Sequence, residues 1–361
     1  MTDHVTGDGE GWPSLISALN PSEEAYLVGR LGGRDILLPE NEHRQYPLRG
    51  HLWQAGPQAR GQVLVLPGFT EFCEKYALFA RRLVGAGYDC LIIDWPGQGW
   101  SGQLGAHQLV VHLDHFSTYF SALDELLKAA GWQSEKLAVF GHSLGGHLAL
   151  NFARRYPDFT EKIILSAPMI VPKAPPVWMT RILASALILA GWRYHALPFV
   201  SMPSIEERRK FELNNLLTRS PEGYDQQYQI FERQPELRRV HASVGWIRAA
   251  FDSCATTTLN PAWMGAIATP VLAFLPGDEK IVDPAASRRM LALLPYCHII
   301  EFADARHELL SELQEVKTRL FDEIDQFLKL DHKTDFTSAL GADYGANCSD
   351  IIRSGRPLPG S

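Results

Sequence analysis

The chain has few cysteines, no block of basic residues and no apolar run long enough to cross a bilayer, and each shortage excludes a class of protein. Its five cysteines, Cys73, Cys90, Cys254, Cys297 and Cys348, are odd in number, scattered and free of any Cys-x-x-Cys pair, which argues for reduced thiols and against a disulfide framework or a zinc site. Lysine and arginine number 34 against 41 acids, a net charge of −7, and they form no cluster that a nucleic-acid backbone would meet. The most apolar stretch, residues 177–192, is interrupted by Arg181 and is shorter than the roughly 20 residues a transmembrane helix needs. The acidic start lacks the positive and apolar regions of a secretory signal, so the expected location is cytoplasmic. No internal repeat is visible.

The hydrophobic content, 46% of 361 residues, is enough to bury one large core. Residues 25–38 alternate loosely around Gly29, Gly32 and Gly33, as an opening hairpin or pair of short strands would. From Gln62 onward short apolar runs alternate with helical patterns: Val63 to Leu66, Tyr76 to Val84, Cys90 to Ile93, Phe116 to Ala130, Leu137 to Phe140 and Lys162 to Ser166. This βαβ alternation predicts a mostly parallel sheet with helices on both faces. Periodicity becomes irregular over residues 171–260 and resumes with strands at Val271 to Leu275 and His298 to Phe302 and a closing helix from Glu312 to Leu328. The expected organisation is a core of residues 22–170 and 261–330 split by a cap at 171–260. The glycine- and proline-bearing tail, residues 331–361, has too little apolar surface to offset its ordering entropy and is expected to be mobile.

Gly141-His142-Ser143-Leu144-Gly145-Gly146 follows the apolar run ending at Phe140 and leads into a helical pattern, the strand, sharp turn and helix of a serine nucleophile elbow. At such a turn the serine backbone is strained, and glycine at 141 and 145 removes Cβ atoms that would block it. A serine hydroxyl needs an imidazole to accept its proton and a carboxylate to hold that imidazole in the right tautomer. Among thirteen histidines, His307 follows the last predicted strand, where a loop can carry it over the carboxyl edge of the sheet. The loop after the preceding strand supplies three candidate acids, Asp278, Glu279 and Asp283. The chain order of serine, acid and histidine is that of α/β-hydrolases. For the oxyanion of acyl transfer, the expected donors are the amide of Leu144 and, from the loop after the first core strand, that of Phe69, beside the turn at Gly68.

Other groupings have plainer readings. His142 is expected to pack behind the nucleophile rather than act as base. His107, His112 and His115 match no zinc template, and Asp114 is expected to cap the following helix. Gly97-Gln98-Gly99 reads as a structural turn. No cofactor and no metal are expected. In the cap, Trp178, Met179, Ile182, Leu183, Leu187, Ile188, Leu189 and Trp192 read first as helix packing and second as an acyl-chain or interfacial lipid site, with Arg181 and Arg193 flanking it for an anionic head group.

The segment Leu66-Pro67-Gly68-Phe69-Thr70-Glu71-Phe72-Cys73-Glu74-Lys75-Tyr76, together with Asp94-Trp95-Pro96-Gly97-Gln98-Gly99-Trp100-Ser101 and the elbow, resembles the serine hydrolases grouped with lysophospholipase L2 and monoacylglycerol lipase. The resemblance runs from about residue 61 to 330 and extends to Asn215 through Glu222 and Val244 through Ala250 in the cap. Family members usually carry arginine where this chain has Pro96, and the lysophospholipase branch often has it where Phe69 stands. Counted from Pro270, the resemblance puts the catalytic carboxylate on Glu279. It implies an α/β-hydrolase fold with a helical cap, a triad of Ser143, Glu279 and His307, and a lysophospholipid or monoacylglycerol ester as substrate. It also implies a small-molecule or lipid partner, while the charge balance argues against nucleic acid and the apolar cap gives a surface for peripheral contact with the inner face of a membrane. Amide or peptide cleavage, acyl transfer and an inert binding protein are the alternatives on the same fold.

Overall fold

A computed structural model of the chain describes residues 33–330. Ten strands form in chain order: β1 (Gly33–Leu38), β2 (Leu48–Trp53), β3 (Gly61–Leu66), β4 (Tyr88–Ile93), β5 (Val110–Val111), β6 (Leu137–His142), β7 (Thr160–Ser166), β8 (His241–Ala242), β9 (Val271–Pro276) and β10 (Cys297–Phe302). Eight of them make one sheet, ordered β1-β2-β4-β3-β6-β7-β9-β10, while β5 and β8 pair separately. From β4 to β10 all neighbours are parallel; β1 and β2 join antiparallel at one edge. β1 pairs antiparallel with residues 48–53, the long loop between them returning the chain to the sheet. Residues 25–32 lie outside the described residues, as does the tail 331–361.

The central strands read as unbroken apolar runs because helices cover both faces. Within β3, Leu64 and Leu66 point into one core and Val63 and Val65 into the other. The period-2 alternation of a strand thus divides a single hydrophobic run between two layers. The first layer is packed by helices Ser117–Ala130 and Leu144–Arg155, the second by Ala77–Gly85 and Gln314–Lys329. Strand order sends the connection from β3 toward β4 and that from β6 the opposite way, toward β7. The crevice beyond the carboxyl ends of β3 and β6 is the topological switch point, where open α/β sheets place ligands.

Between β7 and β9 the chain forms helices Val177–Leu189, Ile205–Arg209, Pro221–Arg233 and Val244–Thr256. The last of these is not a superficial part of the insert, since Trp246, Ala250, Phe251 and Cys254 join the first core layer. Helix Val177–Leu189 corrects the packing expectation in the other sense. Only Ala184 is buried, while Trp178, Ile182 and Leu189 are 65%, 60% and 89% exposed. No helix among the described residues is long and apolar enough to cross a membrane.

Candidate active site

β6 passes into helix Leu144–Arg155 through one residue, Ser143, with φ 51° and ψ −114°. A side chain in that region strains the backbone, so the surroundings must hold it. They do so with backbone bonds: the Ser143 amide donates to Ser166 O at 3.0 Å, and its carbonyl accepts from the amides of Gly146 and Met169, each at 2.9 Å. A Cβ on Gly145 would lie 1.8 Å from Leu66 O, and one on Gly141 2.4 Å from Gly145 O. The bend thus requires glycine at both positions.

His307, on the loop after β10, is buried, and its Nδ1 lies 2.8 Å from Glu279 Oε2. Facing a carboxylate, Nδ1 carries the hydrogen, which leaves the Nε2 lone pair free to accept a proton. The second oxygen, Glu279 Oε1, accepts the amides of Ile281 at 2.7 Å and Val282 at 3.2 Å. Burial alone would raise the Glu279 carboxyl, but the hydrogen bond and charge of His307, with those two amides, hold it below the usual carboxylate range. Ser143, His307 and Phe69 line one cavity of about 280 Å³. The other two acids on this loop point elsewhere. Asp278 pairs with Lys280 and Arg306 at the surface, and Asp283 caps helix Pro284–Leu291 by accepting the Ala286 amide at 2.9 Å.

Leu144 begins its helix, where an N–H has no intrahelical acceptor and the helix dipole favours negative charge. Phe69 stands on the loop after β3, with its ring 4.3 Å from that of Trp246. That loop is fastened from the Asp94 turn. Trp95 Nε1 donates to Pro67 O at 2.8 Å, and Gln98 Nε2 donates to Gly68 O and Glu71 O at 3.2 Å each. Gln98 Oε1 accepts the amide of Thr70, whose φ is 65°. The turn is itself pinned by Asp94, which accepts from the Cys73 amide at 2.7 Å and the Trp100 amide at 2.9 Å. Any Cβ on Gly99, at φ 51°, would strike that carboxyl group.

Several residues of the site escape a reading of motifs alone. Lys75 Nζ lies 2.9 Å from Glu71 Oε1 and 2.7 Å from Glu308 Oε1, both acids buried and Lys75 partly so, and ties the loop after β3 to the residue after His307. Glu71 Oε2 also accepts the Gly68 amide and the Tyr76 hydroxyl, each at 2.5 Å. Burial would raise the Glu71 carboxyl, but Lys75, His142 and Tyr76 together hold it down. The four-residue spacing of Glu71 and Lys75 was the available signal; the partner at 308 is brought in by the fold. His142 packs behind the bend, its ring 4.9 Å from that of His307, and burial pushes it down to about 4. From the insert, Arg239 donates to the carbonyls of Gly97, Gly99 and Gly102 at 2.8, 3.3 and 3.1 Å.

One expectation is corrected. Asp114 caps no helix, because helix Ser117–Ala130 starts at Phe116 without a side-chain cap and Asp114 meets Arg193 at 3.3 Å instead. Arg193 is thereby committed to a carboxylate, and so is Arg181, 2.5 Å from Asp252. Their side chains remain 46% and 39% exposed. Among the described residues, no group of three or more His, Cys, Asp or Glu is placed to hold a metal.

The parallel sheet, the strained serine bend and the histidine loop over the switch point define an α/β-hydrolase. The chain belongs to the family described as serine aminopeptidase, S33, whose model matches residues 57–314. It is 31% identical over 239 residues to lysophospholipase L2 of Escherichia coli strain K12, covering 61% of this chain and 64% of that protein, just under two thirds of the relative's length. It is 24% identical to the probable lysophospholipase L2 of Haemophilus influenzae over 78% of this chain and 87% of the relative. Among solved structures it resembles a soluble variant of monoglyceride lipase from Saccharomyces cerevisiae in complex with a substrate analogue. The TM-score is 0.62 at 19% identity, over 81% of this chain and 94% of that one.

Proposed function

We propose that the protein is a serine hydrolase that cleaves a carboxylic ester through an acyl-enzyme on Ser143. The observation that carries this reading is the Glu279-bonded His307 in the same cavity as a serine held in a strained bend. Ser143 Oγ attacks the acyl carbon and passes its proton to His307 Nε2, while the amides of Phe69 and Leu144 receive the oxyanion. Collapse breaks the ester C–O bond, and His307 returns the proton to the departing alcohol. Water then attacks the acyl-enzyme, again giving its proton to His307, and Ser143 leaves with that proton restored. Glu279 stabilises the imidazolium at both steps.

The acyl donor in this proposal is a lipid monoester of the lysophospholipid or monoacylglycerol kind, which the names of the relatives support. Residues 171–260 serve as its cap, since Arg208, Tyr228 and Val240 of that segment line the cavity. The exposed apolar side of helix Val177–Leu189 gives the cap a surface to rest on lipid. The test is labelling with a fluorophosphonate alongside turnover of an acyl ester. Wild-type protein should label, and Ser143→Ala should neither label nor retain more than about 10⁻⁴ of kcat. A Ser143→Ala protein that still labels would defeat the assignment. The family description favours a second reading, amide cleavage at the same residues; faster turnover of an acyl amide than of its matched ester would select it.

A further inference from the structure

The chain carries a net charge of −7, yet the walls of the cavity around Ser143 hold four cationic side chains, Lys75, Arg208, Arg238 and Arg239, against the two carboxylates of Glu71 and Glu308. Lys75 is the partner of both carboxylates, so the three arginines face the cavity with no acid of their own there. Arg239 is occupied by backbone carbonyls of the Gly97 turn. Arg238 is different. Its Nη2 alone is engaged, by Pro203 O and by Ser204 O at 3.2 Å, and among the described residues no acceptor meets its Nε or Nη1. Arg208 is exposed and has no side-chain hydrogen bond or ion pair among the described residues, although the next residue, Arg209, is tied to Asp225 and Glu232. The backbone beneath Arg208 is anchored, its carbonyl accepting the Tyr224 hydroxyl at 2.6 Å. The nearest acid on that helix, Glu207, is used in the capping box with Ser204. Both arginines line the cavity; burial and the charge of Arg208 lower the pKa of the Arg238 guanidinium, only partly offset by Tyr228 and Glu207, and an anion between the two relieves that repulsion while gaining charge-assisted, bidentate hydrogen bonds.

We infer that Arg208 and Arg238 form a subsite for the phosphodiester on the alcohol side of the scissile ester, making the substrate a lysophospholipid rather than a monoacylglycerol. This rests on the ester-hydrolase reading above. In a lysophospholipid the phosphate is joined to the ester oxygen through the short glycerol chain, so an ester bound at Ser143 carries its negative charge within the same small cavity. A monoacylglycerol brings only hydroxyls to that position and leaves the buried guanidinium of Arg238 without an anion, a penalty for buried charge that the exposed Arg208 does not share.

The experiment measures kcat/KM for lysophosphatidylglycerol, lysophosphatidylcholine and monoacylglycerol of one acyl chain, in wild type, Arg208→Gln and Arg238→Gln. Wild type should favour both phosphodiesters over the neutral ester. Arg208→Gln, at an exposed position that folding does not depend on, should lower the ratio of phosphodiester to neutral turnover by about 10-fold or more, and Arg238→Gln likewise. A wild-type ratio at or below one, or a ratio unchanged by Arg208→Gln, overturns the subsite while leaving ester hydrolysis standing. Loss of the ratio only for lysophosphatidylglycerol would mean that net charge rather than the phosphodiester is read, and would overturn it too. Failure of every ester to turn over, with Ser143 unlabelled by fluorophosphonate, removes the parent reading and the subsite with it.

Discussion

Glu279 and its neighbour Asp278 leave the same loop in opposite directions, one buried against His307 and the other 38% exposed beside Lys280 and Arg306. Glu279→Gln keeps the shape but removes the charge that fixes the His307 tautomer, so kcat on a short ester should fall by about 10³- to 10⁴-fold. Asp278→Asn should stay within about threefold of wild type. If instead Asp278→Asn were the crippling change, the acid would be assigned to the wrong residue. Lys75 poses a separate question at this scale, because its ammonium is buried between two carboxylates. Burial alone would lower its pKa, but Glu308 and Glu71 raise it further above the ordinary lysine range, so the charge is kept. Lys75→Met leaves both acids without their partner and should destabilise the fold by about 3 to 5 kcal/mol, read as a lower urea midpoint. Restoring part of that loss with an added Glu308→Gln would show that the unpaired carboxylate is the cause; no recovery would argue for lost packing instead.

Elements explain why some of this was legible in the sequence and some was not. Strands β3, β4, β6, β7 and β9 were visible because a strand buried on both faces must be apolar throughout, the partly buried edge strand β10 through its Ile299-Ile300 pair, and the bend at Ser143 because its glycines answer to backbone sterics within a few residues. The β1 and β2 pairing was obscured because an edge strand is only partly buried and carries a mixed pattern, as in β1, where Ile36 alone is buried. Long-range partners were equally hidden: neither the meeting of Lys75 with Glu308 nor that of Arg239 with the Gly97 turn leaves a local pattern. Helix Val177–Leu189 shows the limit most sharply, since an apolar composition states that a surface avoids water but not what covers it. Its exposed residues contribute little to the fold. Ile182→Ser and Leu183→Ser should therefore shift the urea midpoint by less than about 0.5 kcal/mol equivalent, while reducing partition onto lysophospholipid-containing vesicles. A large stability loss would place that face against protein rather than lipid.

For the whole molecule, acidification sets two effects against each other. The net charge of −7 at pH 7 moves toward zero as acid is added, and relief of self-repulsion by itself would stabilise the fold. His147 acts the other way. It joins helix Leu144–Arg155 to helix Val244–Thr256, with Nδ1 3.2 Å from Met169 O and Nε2 2.7 Å from Ser253 Oγ. A carbonyl only accepts, so Nδ1 carries the hydrogen, and in the neutral ring that burial favours Nε2 accepts from the hydroxyl. Burial pushes the folded pKa down from 6.5 to about 4, and His142 is held at about 4 by the same cause. Between those values the unfolded chain binds protons that the native state refuses, so stability is full above about pH 6.5 and falls as pH drops toward 4, by as much as about 3 kcal/mol for each ring. The lowered carboxyl of Glu279 extends the loss below its ordinary value of 4.5. Desolvated groups outweigh diffuse surface repulsion at moderate salt, so urea midpoints measured from about pH 7.5 to 4.5 should decline throughout. In His147→Gln, which cannot take up the proton, the midpoint starts lower and the decline is shallower; a curve parallel to wild type would mean that this ring is not what makes the fold sensitive to acid.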